Sequence, residues 1–231
     1  MVQEDEIVLK EINKGEAARY LGYRDSLPDI NMTKLILQAE LELLSVMKPR
    51  FCYKIFDLNR EQGLYLAGTS LELKGESIAN HLSDCEKAVV LCVTLSDGVD
   101  KLLRKHEVEN MVNALIVDAL SNAAIEQVCD EAEQRILKEL SDWSHTWRFG
   151  VGYGDFPLTT QKQLLEIMEA GKRIGLTATD SCILVPRKSV TCVIGLHHGT
   201  LEEQKKSCEK CHLQAECEYR KNGTTCYGES V

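Results

Sequence analysis

The sequence predicts an α+β fold in which a largely antiparallel, twisted sheet packs against long helices. Three observations support this. Strand-like and helix-like segments come in clusters rather than in βαβ alternation. One helical pattern, over residues 108–140, is about 45–50 Å long at 1.5 Å per residue, enough to cross a whole domain. The run Ala88-Val89-Val90-Leu91-Cys92-Val93-Thr94-Leu95 is almost continuously apolar, as a strand buried on both faces must be.

Taken in order, residues 33–47 read as an amphipathic helix. Leu35, Ile36, Ala39, Leu41, Leu43, Leu44 and Met47 give helical spacing, and Pro49 marks the exit. Residues 51–56 and 64–67 are short and β-favourable, and the polar turn Asn59-Arg60-Glu61-Gln62-Gly63 between them predicts a hairpin. A short helix over 78–82 precedes the apolar strand, and a helix over 97–106 follows it. In the long helix, Val117, Leu120, Ala124, Val128, Ala132 and Ile136 form the inward stripe. Its acidic residues Glu126, Asp130, Glu131 and Glu133 are expected mostly on the solvated face, not as a catalytic set. A helix over 160–170 is expected, capped by Thr159 or Thr160 and closed by Gly171. Strands over 181–185 and 189–195, divided by Pro186-Arg187-Lys188, complete the sheet.

The 231 residues suffice for one good core and an appendage, with a boundary expected in the charged stretch 202–206. That divides the chain into a domain over 1–201 and a Cys-rich tail over 202–231. Its net charge of −9 argues against nucleic acid as a partner. No apolar run approaches the roughly 20 residues of a membrane span. The acidic opening Met1-Val2-Gln3-Glu4-Asp5-Glu6 is unlike a secretory signal, so a cytoplasmic location is expected. Cys52, Cys85, Cys92, Cys129, Cys182 and Cys192 then read as small core residues rather than disulfide partners.

Residues 148–162 carry the strongest candidate site. Gly150, Gly152 and Gly154 allow close backbone approach to a ligand. Arg148 can fork onto a carboxylate, and Tyr153 offers a ring face to a cation. A glycine-rich connector is the plain alternative. The spacing is not the dinucleotide fingerprint, which needs G-x-G-x-x-G at a strand-to-helix turn.

Arg148, Gly152, Tyr153, Pro157, Thr160 and Lys162 fall on an R-x-x-x-G-Y-x-x-x-P-x-x-T-x-K pattern, and Thr179-Asp180-Ser181, Pro186 and Ser189-Val190 on a T-E-S…P…S-V pattern. In this the chain resembles the S-adenosylmethionine-binding activation domain of cobalamin-dependent methionine synthase. Ala18-Arg19-Tyr20-Leu21-Gly22-Tyr23-Arg24 and Pro186-Arg187-Lys188-Ser189-Val190-Thr191 are similar to shorter, stand-alone relatives of that domain. The resemblance implies an activation-domain-like fold and S-adenosylmethionine held by Arg148, Gly150, Gly152 and Tyr153. It implies methyl transfer to cob(II)alamin as that cofactor is reduced, with cobalamin on a partner methionine synthase module and an electron-donor protein supplying the electron. No D-x-H-x-x-G element supplies a cobalt ligand here, so the cofactor is expected on another polypeptide. Two other functions stay open. One is a non-catalytic module that escorts a corrinoid protein, favoured by the lack of the family's tyrosine near Val193-Ile194. The other is an iron–sulfur protein that reduces a corrinoid.

The tail bears on the last of these. Cys208, Cys211, Cys217 and Cys226 form a C-x2-C-x5-C-x8-C array able to enclose Zn or an iron–sulfur cluster. A tail that binds nothing is the alternative. His197-His198 is expected at the surface, its side chains pointing apart.

Overall fold

The computed structural model describes residues 1–23 and 26–199. It is an α+β fold. Nine strands and seven helices are present among the described residues: β1 (Gln3–Glu6), α1 (Lys14–Tyr20), α2 (Ile30–Val46), β2 (Arg50–Asn59), β3 (Tyr65–Leu66), α3 (Glu76–His81), β4 (Lys87–Thr94), α4 (Asp97–Glu109), α5 (Met111–Glu139), β5 (Trp143–His145), β6 (Phe149–Gly150), α6 (Thr160–Ile167), α7 (Ala170–Arg173), β7 (Thr177–Ala178), β8 (Leu184–Val185) and β9 (Ser189–His198).

Seven strands form one antiparallel sheet in the order β1-β2-β4-β9-β5, with β3 extending β2 and β6 extending the β9 edge. β4 is central, pairing with β2 from Arg50↔Thr94 to Asp57↔Lys87 and with β9 from Thr94↔Ser189 to Lys87↔Leu196. Side chains alternate across it, so the sheet divides two cores. Val89, Leu91 and Val93 join Phe51, Tyr53, Ile194 and Leu196 against α1, α2, α4 and α5. Ala88, Val90 and Cys92 join Cys52, Phe56, Val193, Phe149 and Phe156 against α3, α6 and α7. The continuous apolar run over 88–95 follows from burial on both faces.

The long helix starts at Met111, three residues later than the expected 108, because Asn110, at φ −160, breaks it from α4 and accepts hydrogen bonds from the Val112 and Asn113 N–H groups. Its stripe Val117, Leu120, Ala124, Val128, Ala132 and Ile136 is buried as read. The 51–56 and 64–67 segments form the expected hairpin, with Leu58 opposite Leu66. Among the described residues no helix is long and apolar enough to cross a membrane. All six cysteines in the described part are free and buried. Burial holds the Cys85 thiol up at about 11, so it is protonated and unreactive.

Four expectations are corrected. The helix over 160–170 stops at Ile167, because Glu169 adopts φ 50, and Gly171 lies inside a second short helix rather than closing the first. Thr159 makes no side-chain cap. The strand over 181–185 shrinks to Leu184–Val185 and pairs with Thr177–Ala178 in a separate hairpin. Cys182 at φ 64 and the Ile183 N–H donated to Thr179 Oγ1 turn the chain there. The last strand runs on to His198, which packs on Trp143 with ring centroids 3.7 Å apart.

The expected boundary at 201/202 and the cysteines of the tail lie outside the described residues. Since residues 1–199 already close both cores, a chain cut after residue 201 should keep a single cooperative thermal transition with sharp near-UV circular dichroism. A molten product would assign the tail to the core.

Candidate functional site

The site begins on β9, the strand that carries both faces of the sheet. Along its outer edge β5 pairs through Trp143↔His198 and β6 through Phe149↔Val193 and Gly150↔Cys192. Strand alternation then sends neighbouring side chains of the β6 edge to opposite layers. Trp147 and Phe149 face the α3 and α6 layer, while Arg148 faces α5.

Arg148 is not the free fork that its sequence context suggests. Its guanidinium bonds Glu133 through Nη1, Asp130 at 2.7 Å and Glu126 at 3.4 Å through Nη2, all on one face of α5. Burial acts to lower its pKa, but Cys129, Glu133 and Asp130 raise it by more, so the charge is fixed. The acidic residues expected on a solvated face are thus partly engaged. Glu133 is 17% exposed beneath the guanidinium, and only Asp130 and Glu126 reach water, at 59% and 51%. These two leave carboxylate oxygens beside a buried cation, the pairing that a zwitterionic amino-acid end requires.

Past Gly150 the loop folds over the second layer. Gly152 at φ 93 and Gly154 at φ 57 adopt the left-handed conformation that disfavours a side chain. The Tyr153 ring lies on Gly150, 3.4 Å from where a Cβ would stand, and meets Phe149 edge-on at 6.1 Å. That ring is 58% exposed, the most accessible aromatic surface of the loop. Phe156 plugs the second core. The loop's backbone is already structured: the N–H groups of Val151, Gly152 and Tyr153 donate to Thr191, Phe156 and Gly150 carbonyls. The expected backbone cradle therefore does not offer these three donors to a ligand.

Asp155 locks the loop to α3. Its carboxylate accepts the Glu76 N–H at 2.7 Å and the Ser77 N–H at 2.9 Å. Those backbone donors hold its pKa below the usual carboxylate range. Gly75, the residue before the helix, has no side chain to cap it, and a Cβ there would meet the Asp155 carbonyl at 2.8 Å. A Cβ on Gly154 would strike Ser77. Two glycines therefore exist for one interlock.

Beneath the loop is a buried polar knot. His81 Nε2 lies 2.9 Å from the Trp147 carbonyl and 2.8 Å from Thr146 Oγ1, which also accepts the Gly195 N–H at 2.8 Å. Burial depresses the His81 pKa to about 4, against the raising effect of the Trp147 hydrogen bond. The ring is neutral and donates to the carbonyl. Sequence inspection passed over Asp155, His81 and Thr146. The missing N-cap side chain at Gly75 was the available signal that an acid from elsewhere must cap α3.

The second motif block is nearby but structural. Lys162 Nζ meets Asp180 at 3.0 Å, which ties the end of the first block to Thr179-Asp180-Ser181. Ser189 Oγ donates to the Pro186 carbonyl, and Lys188 bonds Asp118 and Asn122 on α5. Among the described residues no group of three potential metal ligands occurs. Cys208, Cys211, Cys217 and Cys226 lie outside them.

Antiparallel sheet, spanning helix and clamped edge loop define an α+β architecture. Among solved structures, the fold is similar to that of the MetH reactivation domain bound to AdoHcy. The TM-score is 0.64 at 17% identity, over 87% of this chain and 80% of that one. At that identity the likeness speaks for the fold. No family model and no curated protein matches the sequence.

Two outcomes are expected. His81 is neutral when folded, with its pKa near 4 against an unfolded value near 6.5. Stability is therefore complete above pH 6.5 and falls by about 2 kcal/mol on going to pH 5. Urea unfolding should show that slope, and His81→Gln should flatten it. Arg148→Met leaves three carboxylates clustered around a removed cation and should cost about 1–3 kcal/mol of unfolding free energy, less than for a fully buried pair because two partners reach solvent.

Proposed function

We propose that this chain binds S-adenosylmethionine at the Arg148–Tyr153 edge and serves as a reactivation component for a cobalamin-dependent methionine synthase. The observation that carries this reading is a coincidence of two independent features. The R-x-x-x-G-Y-x-x-x-P-x-x-T-x-K pattern starts at the β6 edge, runs through the clamped loop and ends in the first turn of α6, with Gly152 and Tyr153 exposed, and the fold is similar to that of a reactivation domain solved with AdoHcy.

The residues present suit such a ligand. The ligand carboxylate takes the place of Glu126 or Asp130 on Arg148, and the freed carboxylate receives the ligand ammonium, so the charge balance is kept. The exposed Tyr153 ring receives the sulfonium or the adenine. Gly152, exposed and without a side chain, lets the ligand approach the chain, and Gly150 leaves room for the Tyr153 ring that would face it.

Cobalamin, bound to a partner module and reduced by one electron from a donor protein, supplies the nucleophile that accepts the methyl group. This chain's own residues orient the donor and exclude water. None is needed as acid or base, since the sulfonium is already activated, so positioning is the source of rate. The tail cysteines Cys208, Cys211, Cys217 and Cys226 are proposed to share one Zn ion or iron–sulfur cluster.

One observation favours a second reading, a non-catalytic corrinoid-protein module. Arg148 is already matched by three carboxylates, and three loop N–H groups are bonded inside the fold. Calorimetry separates the two. The first reading predicts saturable binding of S-adenosylmethionine that weakens by about 1.5–3 kcal/mol in Arg148→Ala. It also predicts methylcobalamin formation when the chain meets a cob(II)alamin-loaded methionine synthase module, a reductant and S-adenosylmethionine. No binding with or without the corrinoid partner selects the second reading.

A further inference from the structure

The opposite side of the sheet carries a guanidinium that pairs with no carboxylate among the described residues. Arg50 opens β2, opposite Glu6 of β1 and Thr94 of β4. Phe51 and Tyr53 face α5 and Cys52 faces away, so strand alternation points Arg50 into the layer of α7. There it lies under the turn after α7. Gly175, exposed and at φ 71, brings the chain so close that an added Cβ would stand 4.0 Å from Arg50 Nη2. Arg50 Nε is buried and has no hydrogen-bond partner, and among the described residues no carboxylate pairs with the group.

The neighbouring arginine is in a different position. Arg173 spends Nη1 on Glu4 at 3.0 Å and Nη2 on Glu169 at 2.6 Å, while its Nε is also buried without a partner. Glu4 sits opposite Cys52, two residues along β2 from Arg50, so the two arginines flank the same β1–β2 corner. Nearby acids are thus committed to Arg173. Glu6, opposite Arg50, is exposed, and its carbonyl receives a hydrogen bond from Arg135 on the other layer.

A buried guanidinium N–H that has given up water for nothing is costly, and the Nε–Nη2 edge matches two oxygens of one anion. We propose that the Nε–Nη2 edge of Arg50, beneath the Gly175 turn, is a binding site for a small oxyanion, a carboxylate or a phosphoryl group. The site lies two strands from the Arg148 edge and owes nothing to the S-adenosylmethionine reading.

The test follows the arginine Nε–H resonances of the full-length 15N-labelled protein. Phosphate and acetate are titrated separately, with ionic strength held by chloride. The Arg50 signal, identified by its loss in Arg50→Lys, should shift saturably with one anion or both, and the anion that saturates names the ligand class. Arg50→Lys keeps the charge but loses the fork, and should weaken the binding seen by calorimetry by about tenfold. Arg50→Gln should abolish the rise in melting temperature that the binding anion gives the wild type. Shifts that never saturate with either anion, or equal anion affinity in wild type and Arg50→Lys, would overturn the proposal.

Discussion

Arg148 sits where the two layers of the molecule meet, and its guanidinium is bound by three carboxylates spread over about two turns of α5. Without that cation, Glu126, Asp130 and Glu133 would repel one another along one helix face, at the spacing where like charges destabilise a helix. With it, the short edge strand β6 is pinned to the long helix through one side chain and to the second core through the next, Phe149. Two-residue strands have little hold of their own. The loop that follows can be exposed and glycine-rich yet defined, because both its ends are fixed: Arg148 at the start, Phe156 and the Asp155 cap of α3 further on.

The same clamp shapes the chemistry. A buried arginine paired only once would have to shed its partner to admit a ligand carboxylate and would leave an unpaired charge behind. Three partners of graded exposure change this. Glu133 stays as the inner counterion, while Asp130 and Glu126 face water and can turn to a ligand ammonium. Under the proposed reading, a zwitterion enters by exchange of partners rather than by creating a charge. The neutral His81 knot below adds no competing charge and holds Trp147 and Phe149 as a rigid floor.

Much of this was legible in the sequence where periodicity is strong. The apolar run over 88–95 and the stripe from Val117 to Ile136 gave the central strand and the spine because burial dictates both patterns. Short elements were not legible. β5 and β6 are defined by pairing with β9, not by their own residues, and β1 is a run of four exposed polar residues held by the edge of β2. The helix over 160–170 was misjudged because Glu169, a residue without β-branching or glycine, takes the left-handed conformation in this packing. At the candidate site, residue types and spacing pointed to the 148–162 loop, which lies along the β9 edge. That Arg148 was already occupied could not be seen, because its partners lie 15 to 22 positions away on a helix whose acids looked merely solvated.

The central claim is that a ligand lies along the clamped loop without unfolding it. Amide hydrogen exchange in the presence of saturating S-adenosylhomocysteine, a stable stand-in for the methyl donor, addresses it most directly. The account predicts slower exchange within residues 148–162 and at Glu76 and Ser77, where Asp155 caps α3, with α2 and β1 unchanged. Unaltered exchange across that loop, or protection confined to another part of the sheet, would contradict it.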